Sequence, residues 1–325
     1  MTKQPSTGSP EGVEAPRETG RPGVPKNGAA PVHQQIKKLV VFLIVVSIAF
    51  VRPLYTLCQY SLHSDFFSYI PLIPAISVYL IWLKRPELPQ QVKGAWGWGA
   101  VVGVAGFAVV AGGGVAAHFG WRPVTENYLT LMVSAYLFFV TAGCLTFLGL
   151  EFSRVIAFPI AFLVFAIPIT SGMLDWTEVF FQHTSAITAT AFLTWTGMPV
   201  LRDDLKLNLP GFPIMVAPEC SGIHSTMVLL ITSLLAGHLF LRTGWRRLLL
   251  VLFVIPLAIL RNGFRIFVIS ELCVHVSHEM INSPIHHKGG PIFFALSLIP
   301  FFYLLFLLRK SELRDSKAVD TTTKV

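Results

Sequence analysis

Charge is scarce in this 325-residue chain: Asp, Glu, Lys and Arg make up 13% of it, about half the share of an ordinary soluble domain. A water-facing surface would be short of charge, which argues against a single soluble globular domain. Cysteine is scarce too. Cys58, Cys144, Cys220 and Cys273 are too scattered for a disulfide framework or a C-x-x-C metal site. No H-E-x-x-H and no G-x-S-x-G occurs, so metalloproteases and serine hydrolases lack their usual signatures. No internal repeat of the kind many transporters carry is present. The net charge of +8 is not gathered on a solvent-exposed domain, so it does not point to nucleic acid.

What the chain has is apolar length. It is 53% hydrophobic with mean hydropathy +0.64. Several uninterrupted stretches of roughly 18 to 25 residues are each long enough to cross a bilayer as a helix. The chain therefore reads as an all-α polytopic membrane protein of about eight transmembrane helices, near 39–57, 66–83, 97–118, 128–149, 155–172, 221–241, 248–270 and 291–308. Residues 1–36, rich in Pro, Gly, Thr and Glu, read as a disordered cytoplasmic tail. Residues 37–308 read as the transmembrane domain and 309–325 as a short cytoplasmic tail. Lys37-Lys38 before the first apolar run mark an uncleaved signal anchor.

The stretch 173–198 stands apart. It mixes Trp176, Phe180, Phe181, Phe192 and Trp195 with Thr, Gln, His and Ser, as an interfacial helix does. Left out of the spans, it puts Lys37, Lys38, Lys84, Arg85, Lys93, Arg154, Arg242, Arg246, Arg247, Arg309 and Lys310 on one side, with few basic residues opposite. By the positive-inside rule both termini are then cytoplasmic. Between this helix and the sixth span, Leu205, Leu207 and Leu209 alternate with Lys206 and Asn208 ahead of Pro210-Gly211. That pattern predicts a short outer-face hairpin.

Three places carry chemistry. Cys220, in Ala217-Pro218-Glu219-Cys220-Ser221-Gly222, falls at the start of the sixth span. There the positive helix end and open N–H groups favour a thiolate; the plain alternative is a small apolar filler. Arg261 and Arg265 share a face of the seventh span at i, i+4. An arginine inside a span costs at least about 2.5 kcal/mol, so two on one face argue for use. The plain alternative is snorkelling to outer headgroups, easier for Arg265 than for the deeper Arg261. Asn262 between them has an alternative as a helix–helix hydrogen-bond partner.

The third place is Ile285-His286-His287-Lys288-Gly289-Gly290, before the eighth span. Adjacent histidines point about 100° apart on a helix. With His275, His278 and Glu279 upstream a zinc site stays open, although acid–base or transition-state chemistry suits an imidazole as well. With the termini inside, Cys220, Arg265 and His286 share the outer face, a Cys–His type of nucleophilic constellation. His224, at i+4 from Cys220, is a reserve base. His63 and Asp65 at the outer start of the second span can pair with each other or with the arginines. Cys58 and Cys273 both lie near the outer face, within scope of a disulfide.

In Glu219-Cys220-Ser221-Gly222, Asn262-x-x-Arg265-Ile266 and His286-x-x-x-Gly290-x-x-x-Phe294, in that order, the chain resembles the exosortase/archaeosortase family of polytopic cysteine transpeptidases. Softer matches are Ile70 to Arg85 and Phe158-Pro159 through Pro168; the likeness covers about residues 38–308. The resemblance implies Cys220 as acyl-thioester nucleophile, Arg265 as proton donor and His286 as transition-state stabiliser. Arg261 competes with Arg265, and His287 with His286, although only His286 has Gly290 and Phe294 in register. The family's early Ser-His-Gly is replaced here by Leu62-His63-Ser64-Asp65.

The resemblance also implies the partners: secreted proteins ending in a short motif, a membrane helix and a basic cluster, PEP-CTERM-like in bacteria. It implies an inner-membrane enzyme with its active site on the periplasmic face. No cofactor or metal is expected. The rival reading is a membrane carrier for an anionic solute that uses Arg261 and Arg265, which expects midplane polar residues that are scarce here. A second rival is a structural subunit of an envelope polysaccharide export complex.

Overall fold

Helices form where the apolar runs are uninterrupted, and several of the breaks between them fall at or beside proline. The computed structural model describes residues 30–64, 66–216, 221–276 and 290–322; residues 1–29 of the expected tail lie outside them. Ala30–Pro31 (β1) pairs antiparallel with Gln91–Val92 (β2), and α1 (Val32–Ala49) follows at once. Order thus begins before the boundary expected at 36. Next comes α2 (Val51–His63). The break at Phe50 reflects Pro53, which has no N–H to offer the carbonyl of Ala49, so the expected 39–57 span straddles two helices.

The 66–83 stretch yields only the 12-residue α3 (Leu72–Leu83), because 66–71 is turn ending at Pro71. α4 (Trp96–His118) and α5 (Thr125–Gly143) follow. They approach closely through Gly99, Gly106 and Gly113, which are buried on the α5 side of α4. A π-turn over Cys144–Leu148 leads into α6 (Gly149–Val155). Gly149 has φ +78°, and a Cβ there would lie 1.9 Å from the carbonyl oxygen of Lys93, so only glycine fits.

The expected fifth span is broken. α7 (Ala157–Phe162) tightens into a 3-10 turn over Leu163–Ala166, and Ile167 is extended, the conformation forced on a residue before proline. α8 (Ser171–Trp195) then leaves at 86° to Ala157–Ala166. It is the helix set apart in the sequence. After it come β3 (Leu201–Asp203), β4 (Lys206–Leu209) and β5 (Phe212–Met215), an antiparallel three-stranded sheet where a two-stranded hairpin was expected. Pro210-Gly211 makes the β4–β5 turn, with Gly211 at φ +93°. The chain ends with α9 (Ile223–Phe240), α10 (Gly244–His275) and α11 (Gly290–Thr322).

Among the described residues six helices are long and apolar enough to cross a membrane; counting the bent α7–α8 pair as one span makes a seventh. Eight spans were expected, and the difference lies at the short α3 and the broken α7. At 32 residues, α10 extends about 48 Å at 1.5 Å per residue, well beyond a hydrocarbon core of about 30 Å.

Packing anchors α10 at both of its ends. Leu207, Leu209, Ile214 and Val216 of the sheet region bury against Ala186, Ala189 and Leu193 of α8 and Ile266 of α10. α8 runs parallel to the last turns of α10: Ser185 meets Asn262, Phe192 meets Phe264 and Phe267, and Thr196 meets Glu271. At the opposite end of α10, α11 continues past the expected boundary at 308 because its polar turns dock on the α9–α10 loop. Glu312 accepts from the backbone N–H groups of Arg242 (3.0 and 3.1 Å) and Thr243 (2.6 Å) and pairs with the buried Arg246 at 3.6 Å. Asp315 binds the same guanidinium. A carboxylate at the N-terminus of α10 also meets the positive end of its dipole.

Candidate functional site

Cys220, His286 and His287 lie outside the described residues, as do Asp65, His278 and Glu279. The elements that flank them are described, and they fix a junction between α8, α9 and α10. Val216 ends the sheet region, buried, with its N–H donating to Leu205 at 2.9 Å and its carbonyl accepting from Gln182 of α8 at 3.3 Å. Five residues later Ser221 is buried and Gly222 caps α9 in the left-handed conformation, φ +68°. Gly222 is required there twice over: for its φ, and because a Cβ would come 2.8 Å from Asn262 Oδ1 and 3.1 Å from Arg261 Nη2.

Arg261 and Asn262 are both buried. Arg261 Nη2 donates to the Gly222 carbonyl at 3.0 Å and to Thr226 Oγ1 at 3.3 Å. Asn262 Nδ2 donates to Ser185 Oγ of α8 at 2.9 Å, the interhelical role named above as its alternative. Gly263 completes the junction, since a Cβ there would lie 2.6 Å from Thr188. The tripeptide Arg261-Asn262-Gly263 thus joins α10 to both neighbours. Arg265 sits one turn further along the same face, half-buried. Phe264 beside it stacks edge-on against Phe293 in the first turn of α11, 6.2 Å between centroids. Gly290 opens α11, and Phe294 packs against the α9–α10–α11 core.

His224 lies in the first turn of α9. It is exposed, with Nε2 3.4 Å from Ser68 Oγ and its ring 6.4 Å from that of Phe66. It therefore ties the start of α9 to the corner between α2 and α3. His63 at that corner bonds the carbonyl of Gln59 at 2.8 Å. His275 pairs with Glu271 at 3.1 Å, and among the described residues no three His, Cys, Asp or Glu side chains gather as a metal site. No disulfide joins the described cysteines Cys58, Cys144 and Cys273. Cys144 is buried core.

Ser185 and Thr226 were not singled out from sequence. Both are hydroxyls on otherwise apolar helix faces, and only contact with Arg261 and Asn262 marks them. The softer sequence matches also meet in space. Ile70 and Ile73 pack with Phe162, Ala166 and, from α9, Ile231.

The transmembrane exosortase family profile matches residues 61–303. That range holds α3 through the first 14 residues of α11 and all three of the ordered motifs. No curated protein and no solved structure matches the chain.

Proposed function

This chain is a member of the transmembrane exosortase family, and on that premise we propose that it is a cysteine transpeptidase that cleaves C-terminal sorting tails of secreted proteins, of the PEP-CTERM type, through an acyl-thioester on Cys220. Family membership supports the coarser statement, a membrane-embedded transpeptidase or sorting role. The finer one rests on chemistry. Cys220 Sγ attacks the scissile carbonyl carbon, the C–N bond breaks as the tetrahedral intermediate collapses, and the thiol proton leaves on the departing amine. Arg265 serves that amine or the oxyanion with its N–H groups, and His286 steadies the intermediate. Water, an amine, a sugar or a lipid hydroxyl then resolves the thioester.

The observation that carries this reading is the contact of Arg261 Nη2 with the Gly222 carbonyl at 3.0 Å. It ties the residue two positions after Cys220 to the turn of α10 that precedes Arg265. His286 precedes Gly290 by four residues, at most about 14 Å of chain, and α11 starts beside Phe264. These contacts support a common site for the three motifs. The same reading puts both termini in the cytoplasm and the reacting end at the outer face of the inner membrane, where the motif of a membrane-held tail emerges. The basic residues listed by side above support that orientation.

C-terminal proteomics of the envelope fraction, wild type against Cys220→Ala in the native host, tests the proposal. A set of secreted proteins is expected to regain intact C-terminal helices in the variant. Identical tails in both strains, with the variant accumulating normally, would overturn it and return the arginines to the anion-carrier reading.

A further inference from the structure

Arg261 lies outside the ordered motifs, yet the residue is 8% exposed and, among the described residues, its guanidinium is held by neutral acceptors alone. No carboxylate pairs with it among the described residues. Its Nη1 is buried with no hydrogen-bond partner among them. A buried cation left in this state is costly, so its persistence at the junction calls for a use.

The acceptor it holds is specific. The Gly222 carbonyl receives Arg261 Nη2 at 3.0 Å, the Thr226 N–H at 3.0 Å, Thr226 Oγ1 at 2.8 Å and Ser225 Oγ at 3.0 Å. Thr226 Oγ1 is in turn an acceptor for Arg261. Guanidinium, hydroxyl and carbonyl close a small ring around the left-handed turn. On its other side Asn262 leaves no room for a Cβ at Gly222 and is itself anchored to Ser185.

We infer that Arg261 is a positioning residue for the reaction proposed above: it pins the Gly222 turn that follows Cys220 and holds an uncancelled positive charge beside it. The inference rests on the cysteine mechanism. Arg261 keeps the chain entering α9 in one conformation, so that the residue before the turn is presented in a fixed direction. Its charge favours anionic states that arise nearby, a thiolate or an oxyanion. Arg265, a turn further out, remains the residue that meets the substrate.

The test uses the full chain in lipid nanodiscs and a secreted reporter with a sorting tail taken from the envelope proteomics. Arg261→Gln is expected to lower kcat by about 10²-fold while KM stays within about threefold, the pattern of lost positioning rather than lost binding. Arg261→Lys keeps the charge without the planar fork and is expected to recover about tenfold over the Gln variant. In a Cys58→Ser background, which removes the exposed thiol, Cys220 alkylation by iodoacetamide should slow in parallel with kcat. Arg261→Gln activity within about twofold of wild type overturns the inference. If that variant does not accumulate, Thr226→Val decides, with lost kcat at constant KM supporting the role and unchanged kcat refuting it. Processing that survives Cys220→Ala would instead overturn the cysteine reading itself.

Discussion

Arg246 and Arg261 are both buried on α10, about four turns apart, yet they are held in opposite ways. Arg246 is enclosed by Glu312 and Asp315 and bonds Thr243 and Ser311. Among the described residues Arg261 meets only the Gly222 carbonyl and Thr226. Each leaves one fully buried nitrogen without a partner among the described residues, Nε in Arg246 and Nη1 in Arg261, so an orphaned buried nitrogen does not separate them. Charge does. A cation cancelled by two carboxylates ties helix ends together, whereas one surrounded by neutral acceptors keeps its field for an anion that arrives or forms. The difference marks the Arg246 end of α10 as a structural clasp and is what the proposed mechanism expects of the Arg261 end.

Breaking the clasp gives the largest expected loss of stability. Glu312→Ala leaves the Arg246 charge with only the exposed Asp315 and strips the start of α10 of its acceptor, and up to about 3 kcal/mol should disappear from thermal unfolding in detergent. Replacing both partners, Arg246→Met with Glu312→Leu, should cost clearly less, because no buried charge is left alone. Arg261→Gln should cost little stability and most of the activity. If it destabilises the chain as much as Glu312→Ala, the two arginines are alike and the contrast fails.

Smaller effects sharpen the picture at the Arg261 end. Gly222→Ala meets both a left-handed backbone, worth about 1–2 kcal/mol against an L-residue, and the Asn262 amide 2.8 Å from the new Cβ. Stability loss together with loss of processing is expected. Ser185→Ala removes the acceptor of Asn262, and a loss of about 1 kcal/mol is expected in the same unfolding assay. Asp315→Asn should be the mildest, below about 1 kcal/mol, since Asp315 is 69% exposed and screened by solvent.

Hydropathy alone makes the last third of the molecule legible. Expected spans at 221–241, 248–270 and 291–308 correspond to α9, α10 and α11, whose apolar runs carry no break strong enough to end them. Even Pro256 and Pro300 stay inside continuous helices. The alternation at Leu205–Leu209 and the Pro210-Gly211 turn also read correctly as strand and turn. What hydropathy missed is where apolar residues stop being helix. Residues 66–71 and 163–168 are as apolar as their neighbours, but Pro71 and Pro168 shape their backbone, and length counts ran straight through them.

At the junction, Arg261 and Asn262 stood out because polar groups in a span are expensive. Their partners Ser185 and Thr226 did not, since a hydroxyl on a helix ordinarily satisfies itself on the preceding turn. The docking of Glu312 and Asp315 on Arg246 was hidden for another reason. Arg246 already had an explanation as a topology marker, and the two carboxylates lie some 65 to 70 residues away in a segment that reads as a frayed tail.

The central claim is that Cys220 carries the acyl group, and the most direct test is to look for it there. The full chain, incubated with a tail-bearing reporter and quenched in acid, should yield a Cys220 peptide bearing the reporter's upstream segment as a thioester that neutral hydroxylamine releases. Cys220→Ala should lose both adduct and processing. Processing that continues in Cys220→Ala, with no adduct on Cys220 in the wild-type chain, would contradict the account.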